Sequence, residues 1–223
     1  MLMSIVELRR ELSVVAVTDD AEPMAAYMKH RFEFFGIKTP ARRAATRDLL
    51  RIARHSAADD LIEFATTCWA QPEREFHYVG ADVLKAGHAS FAPEHLDDLR
   101  TLITTNSWWD TVDSIASWPV GSIIDRHRDA ASAMDTWLYD DDMWVARTAI
   151  IHQLRFKETT DVERLFRYAL TRAADTEFFI RKAIGWSLRQ YAHTDPDAVV
   201  TFVERHLEEL SGLTRREALK NAR

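Results

Sequence analysis

Charged residues in similar surroundings recur along the chain at an interval of about one helix pair. Arg147, Lys182 and Arg216 are separated by 35 and 34 residues, and Asp110 and Glu75 continue the series toward the N-terminus at steps of 37 and 35. A repeat of this length is typical of stacked helix pairs, in which each unit buries its apolar face only against its neighbours. The spacing therefore predicts a chain of repeated helices.

Apolar residues follow the helical period in most segments, for example at Ile5, Leu8 and Leu12. Glycine and proline are scarce, with six of each in 223 residues, which disfavours an all-β fold and excludes Gly-rich phosphate-binding loops. We therefore expect an all-α protein, built as a curved α-solenoid of HEAT- or TPR-like repeats and forming a single domain over residues 1–223.

The sequence shows no pattern typical of a metal site, a cofactor site or a membrane segment. The single cysteine, Cys68, excludes an internal disulfide and a Cys-ligated metal site, and the histidines lack metal-ligand spacing. The longest uncharged stretch, residues 114–124, is too short to span a membrane, and charges replace the apolar core of a signal peptide in the first residues. We predict a soluble, cytoplasmic monomer with no metal and no cofactor.

The net charge is −6, but basic residues cluster in two windows. Residues 31–54 sum to +5 and residues 143–189 to +4. Basic helices along the concave side of a solenoid can hold a phosphate backbone, because the forked donors of arginine suit phosphate oxygens. Arg147 and Arg189 lie among aromatic and apolar residues and are expected to contact phosphate. A solvated helix face is the alternative, and we favour it for Arg42, Arg43, Arg164 and Arg172.

The segment SWWDTVDSI is the most informative for function. It places Trp109 and Asp113 four residues apart, on one face of a helix, and Trp186 and Arg189 share a face in the same way. On successive stacked helices, two indoles around a carboxylate can stabilise a cation. In the structural alternative, Asp113 pairs with Arg147 in a ladder between repeats and the tryptophans belong to the core.

Six blocks of the chain resemble, in order, the DNA alkylation repair enzymes of the AlkD-like family, which are HEAT-like-repeat DNA glycosylases. The similarity extends from about residue 20 to the end, and the tandem tryptophan followed by D-x-x-D is its most specific element. The first twenty residues show no clear match. The blocks are AEPMAAYMKHRFEFFGIKTPARR, PEREF, SWWDTVDSI, MWVARTAI, FFIRKAIGWSLRQYAHTDPDAV and RREALKNAR.

The resemblance implies hydrolysis of the N-glycosidic bond of 3- and 7-alkylated purines, such as 3-methyladenine and 7-methylguanine, in double-stranded DNA held by a basic concave groove. It assigns catalytic roles to four residues: Asp113, Trp109, Trp186 and Arg147. It assigns DNA contacts to Tyr27, Arg189 and either Lys157 or Arg155. From the two basic windows we add Lys182 and Arg43 to the residues expected to contact DNA. We expect Asp113 to be ionised because flanking arginines lower its pKa, and we expect a nucleoid-associated protein.

Two other functions stay open. Relatives of this fold bind branched DNA without excising bases, and a HEAT-like scaffold for another protein would use Asp113 only as a ladder residue. Both rank below the enzyme, because the tryptophan, aspartate and arginine positions of the family are all occupied here. No lysine stands out as a Schiff-base nucleophile, so we expect a glycosylase without lyase action.

Overall fold

The structure is a computed structural model that describes residues 2–220; the end of the RREALKNAR block lies outside this range. Between these limits the chain forms α-helices joined by short turns, several 3₁₀ turns and one π-helical segment, and contains no β-strand. An isolated parallel bridge joins Glu33 and Glu73. The predicted all-α class is confirmed. No helix in residues 2–220 is both long and apolar enough to cross a membrane.

The chain divides between Asn106 and Ser107 into two compact units. The helices of the first unit are α1 (Ile5–Val14), α2 (Thr18–Tyr27), α3 (Thr39–Ala45), α4 (Arg47–Ala53), α5 (Ala58–Trp69), α6 (Arg74–Ala86) and α7 (Leu96–Thr104). The helices of the second unit are α8 (Trp109–Ile115), α9 (Gly121–Arg126), α10 (Ala131–Trp137), α11 (Met143–Ile151), α12 (Val162–Thr171), α13 (Phe178–Tyr191), α14 (Pro196–Arg205) and α15 (Gly212–Ala218).

In the first unit, a buried carboxylate holds the segment between α2 and α3 against α6. The Glu75 side chain accepts backbone N–H hydrogen bonds from Phe35, Gly36 and Ile37 at 3.1, 3.0 and 2.9 Å. Gly36 has φ +83°, and a Cβ there would lie 2.0 Å from the carbonyl oxygen of Val17. Only glycine adopts this positive φ without strain and leaves room for the neighbouring carbonyl oxygen. Glu75, which occupies a regular position in the sequence repeat, therefore has a structural role: it holds this segment against α6.

In the second unit, helices alternate between two rows. Helix α11 packs against both α8 and α13, and α13 packs against α15, so these four helices form one row. Helices α10, α12 and α14 form the other, linked by an ion pair between Asp135 and Arg164 and by the stacked rings of Phe166 and Phe202. This alternation is the helix-pair repeat that the 35-residue interval predicts.

Polar side chains start α11 and α14, as the sequence indicates. The side chain of Asp142 caps α11 by accepting the Trp144 N–H at 2.8 Å, and Asp195 caps α14 by accepting the Ala198 N–H at 2.9 Å. Pro196 occupies the first position of α14, where its missing N–H has no cost. These caps fix where α11 and α14 begin.

A neutral histidine is buried at the end of α11. The His152 ring lies beside the rings of Phe156 and Tyr168, and its Nδ1 is 2.6 Å from the carbonyl oxygen of Ala149, so Nδ1 carries the proton. Its Nε2 has no hydrogen-bond partner among residues 2–220. Burial lowers the pKa of His152 to about 4.

This histidine predicts a loss of stability in acid. The pKa is about 4 in the folded protein and about 6.5 in the unfolded chain, so protonation favours unfolding as the pH falls from 6.5 toward 4. We expect a decrease of about 3 kcal/mol in the free energy of unfolding from this group. Urea titrations at neutral pH and at pH about 4 measure it. His152→Leu should remove this part of the decrease, and His193→Leu, at an exposed site, should not.

Candidate functional site

Asp113 and Arg147 form a two-pronged ion pair between neighbouring helices. Arg147 on α11 donates from Nε to Oδ1 of Asp113 at 2.7 Å and from Nη2 to Oδ2 at 2.8 Å. The Arg147 side chain is 5% exposed and the Asp113 side chain 16%. Both carboxylate oxygens are therefore fixed by one guanidinium, while part of the Asp113 side chain still reaches solvent.

A third contact extends this pair to the next helix of the row. Arg147 donates from Nη1 to the backbone carbonyl of Phe179, at the start of α13. All three guanidinium nitrogens thus donate within the protein, and the group is almost inaccessible. The prediction that Arg147 holds a flanking phosphate gains no support, because these donors face Asp113 and Phe179. The ion pair holds the Asp113 carboxylate in one orientation.

The predicted lowering of the Asp113 pKa is also wrong in direction. Burial raises the pKa of Asp113, and the hydrogen bonds and charge of Arg147 oppose this effect without cancelling it. The negative charge of Asp110, one turn earlier on α8, adds to the increase. The sequence suggests the arginine but does not reveal how much water the packed helices remove from the carboxylate.

The tandem tryptophans divide into a core residue and a surface residue. Trp108 is buried against Trp144 and Phe179, with ring centroids 5.6 and 5.1 Å away. Trp109 is half-buried on α8, one turn before Asp113, and Trp186 is half-buried on α13. The structural interpretation thus fits Trp108, which belongs to the core, and the functional one concerns only Trp109. Trp109 and Trp186 keep accessible surface on the row of helices that carries Asp113.

The basic candidates of the second unit differ in how they are held. Lys182 and Arg189 both contact the carboxylate of Glu217, at 2.8 and 2.6 Å. Arg155 is exposed and lies over the Trp118 ring, 3.4 Å from its centroid. Lys157 is exposed at φ +52°, in a 3₁₀ turn. The choice between Arg155 and Lys157 as the phosphate contact stays open.

Two candidates belong to the first unit. Tyr27 ends α2 with 69% of its surface exposed. Arg43 on α3 is half-exposed and lies 3.6 Å from Asp82. Its neighbour Arg42 is not on a solvated face as predicted: it is 6% exposed, pairs with Asp82 at 3.2 Å and lies over the Tyr78 ring. Helix packing buries its guanidinium, which a charge count cannot detect.

Much of the charge in the two basic windows is compensated. The acidic partners lie outside the windows in sequence, often by one repeat, and the sums of +5 and +4 overstate the local charge. The pairs are Lys38 with Asp20, Arg42 and Arg43 with Asp82, Arg147 with Asp113, Arg164 and Arg167 with Asp135, and Lys182 and Arg189 with Glu217. Asp82 and Glu217 do not stand out in the sequence, where their only signal is a distance of about one repeat from the basic residues.

The site contains no arrangement suited to a metal. Across residues 2–220, no three His, Cys, Asp or Glu side chains group closely enough to bind an ion. Cys68 is buried, and burial raises the pKa of its thiol. It is therefore an apolar filler and not a thiolate nucleophile.

An all-helical chain with repeated helix pairs, tied by an Asp–Arg pair between neighbouring repeats, defines a helical-repeat protein. The chain belongs to the DNA alkylation repair enzyme family, whose sequence model matches residues 8–222. It is similar to a solved structure described as "Predicted DNA alkylation repair enzyme from Enterococcus faecalis", with 32% identity, a TM-score of 0.83, and coverage of 91% of this chain and 94% of that one. No curated protein matches the chain. Family membership supports a role in DNA repair.

Proposed function

We propose that this protein is a monofunctional DNA glycosylase that removes cationic 3- and 7-alkylated purines from double-stranded DNA. The observation that carries the proposal is the Asp113 carboxylate, held by both oxygens on Arg147, on a side chain that is still partly exposed to solvent. A fixed anion of this kind stabilises positive charge that develops in a transition state, without having to reorganise.

The reaction needs no acid when the base is already cationic. The bond between C1′ and the base nitrogen breaks, and its electron pair leaves with the base and neutralises it. The sugar becomes oxocarbenium-like, water adds to C1′, and the water's proton passes to solvent. In this reaction Asp113 stabilises the sugar cation and orients the water. The half-buried indoles of Trp109 and Trp186 present electron-rich faces to the sugar and backbone.

The remaining candidates serve to hold DNA. Lys182, Arg189 and either Arg155 or Lys157 contact backbone phosphates in the second unit, and Tyr27 and Arg43 do so in the first. The enzyme acts as a monomer in the cytoplasm, on the nucleoid. No metal or cofactor takes part.

One observation favours a second candidate, a non-catalytic scaffold or branched-DNA-binding protein. The Asp113–Arg147 pair spans 34 residues, and Asp135 contacts Arg164, Arg167 and Tyr168 at intervals of 29 to 33 residues. Asp113 thus resembles Asp135, which also ties neighbouring repeats. If this is its whole role, it contributes stability and no turnover.

The direct test is incubation of the protein with N-methylated duplex DNA and chromatographic detection of released bases. We expect 7-methylguanine and 3-methyladenine in the soluble fraction, and intact abasic strands because no lysine nucleophile cleaves them. Absence of released base above the rate of spontaneous depurination contradicts the glycosylase and favours the scaffold. Strand scission without added base contradicts monofunctional action.

The pH dependence of base release tests the charge on Asp113. Protonation removes the charge that stabilises the sugar cation, so the rate should fall as the pH drops through the pKa of Asp113. Because burial raises that pKa above 3.8, the fall should begin at a higher pH than for an exposed aspartate. Initial rates between pH about 8 and about 4 measure it. Circular dichroism at each pH separates this effect from unfolding driven by His152. A rate of the folded protein that stays constant until the pH reaches the ordinary aspartate pKa of 3.8 contradicts the role.

A further inference from the structure

Helix α15 packs unusually close to α13 at a glycine. A Cβ at Gly185 would lie 2.5 Å from the Cβ of Glu217 and 2.8 Å from the carbonyl oxygen of Thr214. Thr214 also donates its hydroxyl to the backbone carbonyl of Arg181 at 3.2 Å. This close approach brings the side chain of Glu217 onto the face of α13 where Lys182, Gly185 and Arg189 follow one another at helical spacing.

Glu217 bridges the two cations on that face. Its Oε1 lies 2.8 Å from Nζ of Lys182, and its Oε2 accepts from Nη1 of Arg189 at 2.6 Å. The three side chains are 17%, 36% and 21% exposed in the order Glu217, Lys182, Arg189. The cluster is therefore open to solvent on one side. Hydrogen bonds from Lys182 and Arg189 lower the pKa of Glu217, against the effect of burial, so its carboxylate is charged at neutral pH.

A carboxylate and a phosphodiester offer cations the same chemistry. Each carries one negative charge on two terminal oxygens, and each binds an arginine fork or a lysine ammonium. Lys182 and Arg189 lie two helical turns apart and would repel each other if both turned to the same point without a counter-charge. Glu217 supplies that counter-charge from within the protein.

We propose that Glu217 competes with a DNA backbone phosphate for Lys182 and Arg189, and that it thereby limits the affinity of the protein for undamaged DNA. This inference rests on the DNA binding of the proposed function. When DNA arrives, the phosphate takes over at least one of the two cations, and the Glu217 carboxylate turns to solvent. The free protein thus carries one basic charge fewer at this point than its sequence suggests.

The test compares the binding of an undamaged, fluorescently labelled duplex by the parent and by Glu217→Gln, using anisotropy over a range of salt concentrations. Glutamine has nearly the same shape as glutamate but lacks the negative charge that competes with phosphate. We expect tighter binding at low salt and a slope of log K against log salt more negative by about 0.9. The advantage of the variant should therefore shrink about threefold when salt rises from about 50 to about 200 mM.

Two further variants make the comparison specific. Glu204→Gln removes the same charge at an exposed site on α14 and should change the affinity much less than Glu217→Gln. In an Arg189→Gln background, the gain from Glu217→Gln should shrink, because one of the two cations that it frees is absent. If Glu217→Gln fails to fold by circular dichroism, Glu217→Asp withdraws the carboxylate by one methylene and should bind DNA more tightly than the parent.

Equal or weaker binding by Glu217→Gln overturns the proposal; weaker binding would mean that the carboxylate positions the cations for DNA. Equal gains from Glu204→Gln overturn it as well, because the effect would then be one of total charge. The measurement does not use base release. A parent that binds duplex but releases no methylated base contradicts only the proposed chemistry, whereas a parent that binds no duplex contradicts both.

Discussion

Replacement of Asp113 by asparagine is expected to lower the rate of 7-methylguanine release by ~10²–10³, the usual effect of deleting one preorganised electrostatic group. Asparagine nearly matches the shape of aspartate but lacks the charge that opposes the sugar cation. Single-turnover release from methylated duplex, with protein in excess over DNA, measures the chemical step apart from binding. Binding of undamaged duplex should change little, since both Asp113 oxygens accept hydrogen bonds from Arg147 within the protein.

The same substitution is expected to destabilise the fold, because Arg147 is buried and loses its counter-charge. Removal of one partner from a buried ion pair costs about 3–5 kcal/mol. We expect the lower end of this range, because the asparagine oxygen can still accept one N–H from Arg147. Activity must therefore be measured well below the melting temperature and divided by the folded fraction.

Asp135→Asn is the matched control for this experiment. Asp135 also links neighbouring repeats, through Arg164, Arg167 and Tyr168, and these hydrogen bonds outweigh burial and lower its pKa to about 2. Its amide variant should lose stability and keep base release per folded molecule. If Asp113→Asn behaves in the same way, with a lower melting temperature and the parental rate, Asp113 is a ladder residue and the scaffold interpretation is correct.

The helical fold and its repeat could be predicted because they depend on local pattern. The apolar period, the scarcity of glycine and proline, and the caps at Asp142 and Asp195 all act within a few residues of sequence. The interval of about 35 residues also brings Asp113 near Arg147, because equivalent positions of stacked helices become neighbours.

Charge and burial could not be predicted in the same way, because they depend on how closely the helices pack. The sequence around Lys182 and Arg189 has a positive net charge. In the structure, Glu217 of the next repeat pairs with both residues, because its helix packs closely at Gly185. The direction of the Asp113 pKa shift depends on burial, which removes water from the carboxylate. A short stretch of sequence shows neither an ion-pair partner from the next repeat nor the amount of water that packing removes from a side chain.

Strong discrimination by the charge of the base is the second large effect that we expect. The protein should release 7-methylguanine and 3-methyladenine and leave uracil and hypoxanthine in place. A neutral base is a poor leaving group unless an acid protonates it, and a general acid contributes typically 10²–10⁴ in rate. Without one, we expect release of the neutral bases to be slower by at least ~10².

The geometry of Asp113 argues that it is not that acid, although burial raises its pKa. Each of its two oxygens accepts an N–H from Arg147, at 2.7 and 2.8 Å. A proton on either oxygen would turn that acceptor into a donor facing another donor, so protonation would break one of the two bonds. The guanidinium thus keeps the carboxylate in its charged form at neutral pH, the form that stabilises a sugar cation.

Matched duplexes with a single 7-methylguanine, uracil or hypoxanthine at the same position, assayed in single turnover, measure this discrimination. Larger N-alkyl groups should also be released if the site grips sugar and phosphate and does not enclose the base. Comparable rates for 7-methylguanine and uracil would contradict the mechanism and require an acid elsewhere. Tyr27, exposed at the end of α2, is then the first candidate, and Tyr27→Phe should abolish release of the neutral base while sparing the cationic one.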